Sequence, residues 1–100
     1  MKLYLLTRSD VAYLDEFVSC VVVAADEGEA RLMHPDGADK VWINGSWHRR
    51  WFTKSGFLLH EQTRGGALWV RPEDVVVQEI GVPNETHEKK MLICSSFNAG

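Results

Sequence analysis

The residues best suited to chemistry in this chain are Trp47-His48-Arg49-Arg50-Trp51, extended by Lys54. Indole planes interleaved with guanidinium groups can stack on nucleic-acid bases and bond phosphate. The same types suit a protein partner, because Trp and Arg are enriched at interface hot spots and an acidic surface would complement them. A third arrangement needs no partner: Trp47 and Trp51 help fill a small core while His48, Arg49 and Arg50 point to solvent. Few cations are present in the segment, which limits phosphate affinity, since each neutralised phosphate adds one increment of counterion release.

Other constellations are weaker. His34, His48 and His60 can converge with Asp36 or Asp39, yet their spacing matches no compact metal-ligand pattern. Cys20 and Cys94 sit in apolar, strand-like runs without a neighbouring base to lower a thiol pKa, so both are predicted to be buried and reduced. Ser95 and Ser96 belong to no Gly-x-Ser-x-Gly elbow, and Arg64-Gly65-Gly66 is too short for a phosphate-binding loop. The acidic pairs Asp15-Glu16, Asp26-Glu27 and Glu73-Asp74 fall at element boundaries, where capping or solvation is their usual role. These residues predict a non-catalytic protein with no metal and no cofactor.

At 100 residues, 45% apolar and 25% charged, the chain has the composition of one globular domain spanning 1–100. A net charge of -3 excludes a global basic field, so any basic site must be local. The longest uncharged apolar stretch, Phe17 to Ala25, is far below the roughly 20 residues of a membrane-spanning helix. The Met1-Lys2 start has no signal-peptide profile. A cytoplasmic location without membrane contact is the expectation.

The elements that must position the tryptophans follow from pattern. Lys2 to Thr7 reads as a first strand, and Phe17 to Ala24, β-branched and apolar on both faces, as a central one. Asp10 to Glu16 is short enough to join them as a hairpin. Asp26 with Glu29 resembles a capping box, predicting a short helix through Met33 that ends at His34-Pro35-Asp36-Gly37. Asn44-Gly45, between Val41-Trp42-Ile43 and Ser46-Trp47, is a type I′ hairpin signal, and Gly56 to His60 can add a further strand. Arg64-Gly65-Gly66 reads as a mobile turn. Val75 to Ile80 and Met91 to Phe97 are two closing strands linked by the polar Asn84 to Lys90. The predicted fold is α+β: an antiparallel sheet of about four strands with one short helix, in the order β-β-α-β-β, plus a small Trp-rich β-ribbon insertion. One sheet face would then be only partly covered, which predicts a homodimer. Phe97 and Asn98 are expected to lock the last strand by packing and capping, with a recognition tail as the alternative.

The opening Met-Lys-Leu-Tyr-Leu-Leu-Thr-Arg, the Tyr13-Leu14-Asp15-Glu16-Phe17 lead into a Val-rich strand, Glu29-Ala30-Arg31 with His34-Pro35, Trp69-Val70-x-Pro72-Glu73-Asp74-Val75 and the terminal Ser96-Phe97-Asn98-Ala99-Gly100 form a signature. Together they resemble small uncharacterised proteins of bacteriophages and prophages. The resemblance covers both ends of the chain and implies a host-cell setting, in which many small phage proteins bind and disable a host component. It brings no catalytic residues. Two functions stay open: an interaction protein engaging a host protein, such as a defence component, through the aromatic-basic surface, or a module binding a nucleotide or single-stranded nucleic acid.

Overall fold

A computed structural model describes residues 1–10, 16–37, 39–62, 69–83 and 91–98. The Arg64-Gly65-Gly66 turn, most of the Asp10 to Glu16 connection, the Asn84 to Lys90 link and the side chains of His60, Phe97 and Asn98 lie outside the described residues. The rest is mostly antiparallel sheet with one short α-helix. Strand β1 (Lys2–Arg8) pairs with β2 (Glu16–Ala24), and helix α1 (Glu27–Arg31) follows. Strands β3 (Lys40–Ile43), β4 (Ser46–Phe52) and β5 (Leu58–Gln62) form a three-stranded sheet in that order. After a 3-10 turn at Pro72–Asp74, strands β6 (Val75–Gly81) and β7 (Met91–Asn98) complete a four-stranded sheet ordered β6-β1-β2-β7. Among the described residues no helix is long and apolar enough to cross a membrane.

Side-chain alternation sets the core. Tyr4 and Leu6 lie opposite Val22 and Cys20 on β2, and Leu6 also lies opposite Val77 on β6, so these residues share one face. Ala30 and Met33 close over that face, as do Trp47 and Trp69 from outside the sheet. The other face carries Leu3, Leu5 and Val21, all half-buried, with Val76, Met91 and Cys94 exposed beside them.

Local chemistry places the helix. Asp26 caps it by accepting from the Glu29 N–H at 2.8 Å, while Glu29 Oε1 accepts from the Ala25 N–H at 3.3 Å. The helix is two residues shorter than predicted, with Leu32 as its C-cap, because Pro35 disfavours helical geometry at His34. Met33 reaches the core from the loop instead. Arg31 then fastens α1 to the 3-10 turn by donating to the Pro72 and Val75 carbonyls.

The open ends of β1 and β2 are held by Arg8. Its buried guanidinium donates to both carboxylate oxygens of Asp10 and, at 3.0 Å, to the Phe17 carbonyl, with Glu16 3.7 Å away. The hydrogen bond from Arg8 holds the Asp10 carboxyl below its ordinary pKa and, in return, raises that of Arg8. A depressed carboxyl contributes stability above its unfolded pKa, near 4, and loses it as pH falls toward the folded value. The melting temperature is therefore expected to drop below about pH 4, and Asp10→Asn to be less stable at pH 7 with a flatter acid profile. Asp10 is half exposed, so the effect is below about 1 kcal/mol. Identical acid profiles for the two proteins would sink this assignment.

The cysteines part company. Cys20 is buried and Cys94 exposed, which corrects the expectation that both are core residues. They lie on paired strands, but Cys20 is opposite Ser95 and Cys94 opposite Val21, so alternation sends the two thiols to opposite faces. Both are free. Burial pushes the Cys20 thiol up to about 12, leaving about one thiolate in ten thousand at pH 8. In dilute native protein, iodoacetamide is expected to label Cys94 and to spare Cys20 until denaturant is added, as read by peptide mass spectrometry. Equal labelling would contradict this packing.

Candidate functional site

The three-stranded sheet is built around two turns. Asn44 (φ 49°) and Gly45 (φ 80°) both occupy the left-handed region, the type I′ geometry that joins β3 to β4 with the right twist. At the other end, Thr53 and Phe57 clasp the β4–β5 loop: the Thr53 N–H donates to the Phe57 carbonyl at 2.8 Å, and Thr53 Oγ1 accepts from the Phe57 N–H at 3.0 Å. Lys54 stands exposed at the tip of this loop.

Register then divides the predicted segment between two faces. Trp47, Arg49 and Trp51 point one way and His48, Arg50 and Phe52 the other. Trp47 is 2% exposed, belongs to the core and donates its Nε1–H to the Val70 carbonyl at 2.9 Å. Its ring meets His34 at 4.9 Å and Trp42 at 5.3 Å, both edge to face. It is thus a structural anchor that no partner can reach without unfolding. Arg49 is committed too, its guanidinium 5.4 Å over the half-buried Trp51 ring and 3.9 Å from Asp39, with Glu61 opposite it on β5.

On the other face, His48 is half-buried and its Nδ1–H donates to the Ser46 carbonyl at 3.2 Å. Arg50 is exposed, and neither it nor Lys54 has an acidic partner among the described residues. Beside them stand side chains that the sequence reading left out of the site. Phe52 is 71% and Phe57 69% exposed, and Leu58, directly across from Phe52, is open to solvent, as is Leu59 across from Trp51 on the first face. No signal within the segment marks them, because an apolar run that follows a turn reads equally well as core. The hairpin tip therefore combines exposed apolar surface with uncompensated positive charge.

Of the histidines considered for a metal, the His60 side chain lies outside the described residues, and His34 and His48 make separate local contacts. His34 is buried, with Nδ1 accepting from the Asp36 N–H at 2.9 Å, while His48 faces Ser46 on β4. Among the described residues no group of three or more His, Cys, Asp or Glu is placed to hold a metal ion. No family model matches this chain, and no curated protein or solved structure matches it either.

Proposed function

We propose that this chain is a non-catalytic interaction protein whose β4–β5 hairpin docks on an acidic, partly apolar surface of another protein, a host component in the phage setting suggested by its sequence. The observation that carries this reading is the pairing of exposed Phe52, Phe57 and Leu58 with Arg50 and Lys54, cations without acidic partners among the described residues. Apolar side chains of this size in water favour association, and unpaired cations at their rim steer an acidic partner. The Trp-bearing sheet reads as an insertion in a β-β-α-β-β frame, carrying the docking hairpin away from it. Single-stranded nucleic acid is the second reading, supported by Trp51, Phe52 and Phe57 as stacking surfaces. Two uncompensated cations would give it a salt slope of only about 1.4, which favours the protein reading.

The half-open face of the larger sheet, with Val76, Met91 and Cys94 exposed, supports a homodimer. Alkylation of Cys94 should then slow as protein concentration rises, whereas a rate independent of concentration would argue against that face as the contact.

The docking surface is tested by capture from host lysate, using wild type and a Phe57→Ser/Arg50→Gln variant with matching circular dichroism. A protein retained by wild type and lost by the variant supports the reading. Equal retention by both sinks it, and recovery of nucleic acid by wild type alone moves the assignment to the second reading.

A further inference from the structure

The β4–β5 hairpin carries a second recognition element in its backbone. β5 is the outer strand of its sheet, with no strand beyond it among the described residues. It pairs with β4 residue for residue, without the register breaks found along β6 and β7, and it contains neither proline nor lysine. Its acidic residue, Glu61, lies opposite Arg49. An edge without blocking devices accepts another strand. Hydrogen bonds fix which main-chain groups it offers. The Thr53 N–H donates to the Phe57 carbonyl, whereas the Arg50 N–H turns away from β5 to the Asp39 carbonyl. Bonded and non-bonded pairs alternate along an antiparallel ladder. Leu59 and Glu61 therefore bond to β4, while Leu58, His60 and Gln62 direct their N–H and C=O groups outward. Leu58 shares a face with Phe52 and Arg50, and Leu59 lies on the opposite one.

We propose that the hairpin recognises its protein partner by strand addition: β5 takes an extended segment of that protein as a fourth, antiparallel strand, apolar opposite Leu58 and Leu59 and acidic opposite His60. This deepens the docking reading and rests on it. Three residues with outward main-chain groups supply about six hydrogen bonds to such a strand. Exposed Leu58 and Leu59 call for apolar side chains on both of its faces. The acidic residue follows from Arg50, which lies opposite His60 on β4, on the face of Leu58, and has no acidic partner among the described residues. A residue opposite His60 on the added strand stands about 10 Å from Arg50 across the sheet, a span that arginine and glutamate side chains bridge together. A second copy of this chain fits worse, because two β5 strands paired about His60 would bring two Arg50 side chains toward one another.

The test is NMR titration of the full chain with a blocked peptide of threonine, threonine, glutamate, valine and isoleucine in that order, which sets valine opposite Leu59 and isoleucine opposite Leu58. Saturation is expected with a Kd of about 0.1–1 mM. Backbone amide shifts should alternate, large at Leu58, His60 and Gln62 and small at Leu59 and Glu61, a pattern that side-chain docking alone does not produce. Methylating the peptide's glutamate nitrogen, which faces β5, should weaken binding about tenfold or more, whereas methylating the valine nitrogen, which faces away, should change it by about twofold or less. Arg50→Gln should weaken binding about threefold. His60→Pro removes one outward N–H and spares the ladder to β4, so it should abolish binding while the circular dichroism matches wild type. No response at about 10 mM, equal effects of the two methylations, or shifts without alternation overturns the proposal. Shifts at the same amides that grow with protein concentration alone also overturn it, in favour of a second copy. A lysate protein that Phe57→Ser/Arg50→Gln loses but His60→Pro retains leaves hairpin docking standing and removes strand addition, whereas equal retention by all three proteins removes docking itself.

Discussion

Trp47→Ala is expected to cost about 3–5 kcal/mol of folding stability, measured by chemical denaturation, against a total of about 5–15 kcal/mol for a domain of this size. The side chain is among the largest that are fully buried, and it bridges the two sheets. Truncation opens a cavity next to His34 and Trp42, removes both edge-to-face contacts and leaves the Val70 carbonyl without its indole donor. Trp51→Ala is the contrast, since its half-buried ring contacts Arg49 near the surface and its loss should cost about 1 kcal/mol or less. Similar losses for both variants would mean that Trp47 does not anchor the core. The difference also governs how binding is tested, because a Trp47 variant that loses a partner reports unfolding and not a contact surface.

The second large effect is on binding. Replacing Phe52 and Phe57 together with serine is expected to weaken capture of a protein partner about 30-fold or more while leaving the melting temperature within a few degrees of wild type. Stability is spared because both rings are already mostly in water, so the folded state loses little burial. Affinity falls because aromatic anchors of this kind contribute about 2 kcal/mol or more each when a partner buries them, without simple additivity. Arg50→Gln should act differently, slowing association and flattening the salt dependence more than it speeds dissociation, as rim charges do. Titration calorimetry and surface plasmon resonance against the captured partner separate these effects. Unchanged affinity in the double serine variant would remove the hairpin tip from the interface.

The site can be read in the same terms. Five consecutive residues, Trp47 to Trp51, stood out for their types, and β4 holds them in a single strand. Alternation then sorts them onto two faces, and burial separates Trp47, an anchor, from Arg50, an uncompensated cation. Phe52, Phe57 and Leu58 are not distinguishable from core by sequence, because an apolar residue at a strand end is ordinarily buried and its exposure depends on what the rest of the fold packs over it. Cys94 was misjudged for the same reason: its run is apolar, but β7 is an edge strand with a half-open face.

What the sequence determined by itself is local. The strand periods, the Asn44-Gly45 turn with both residues at positive φ and the Asp26 cap depend on backbone preferences and hydrogen bonds within a few residues, so nearby residues suffice to specify them. The tertiary structure alone decided which face of each sheet is covered, which tryptophan is an anchor and which arginine has no carboxylate partner among the described residues. Those properties arise from groups that meet only once the chain has folded: the Val70 carbonyl reaches Trp47 from 23 residues away, and Asp39 stands beside Arg49 only when β3 and β4 pair.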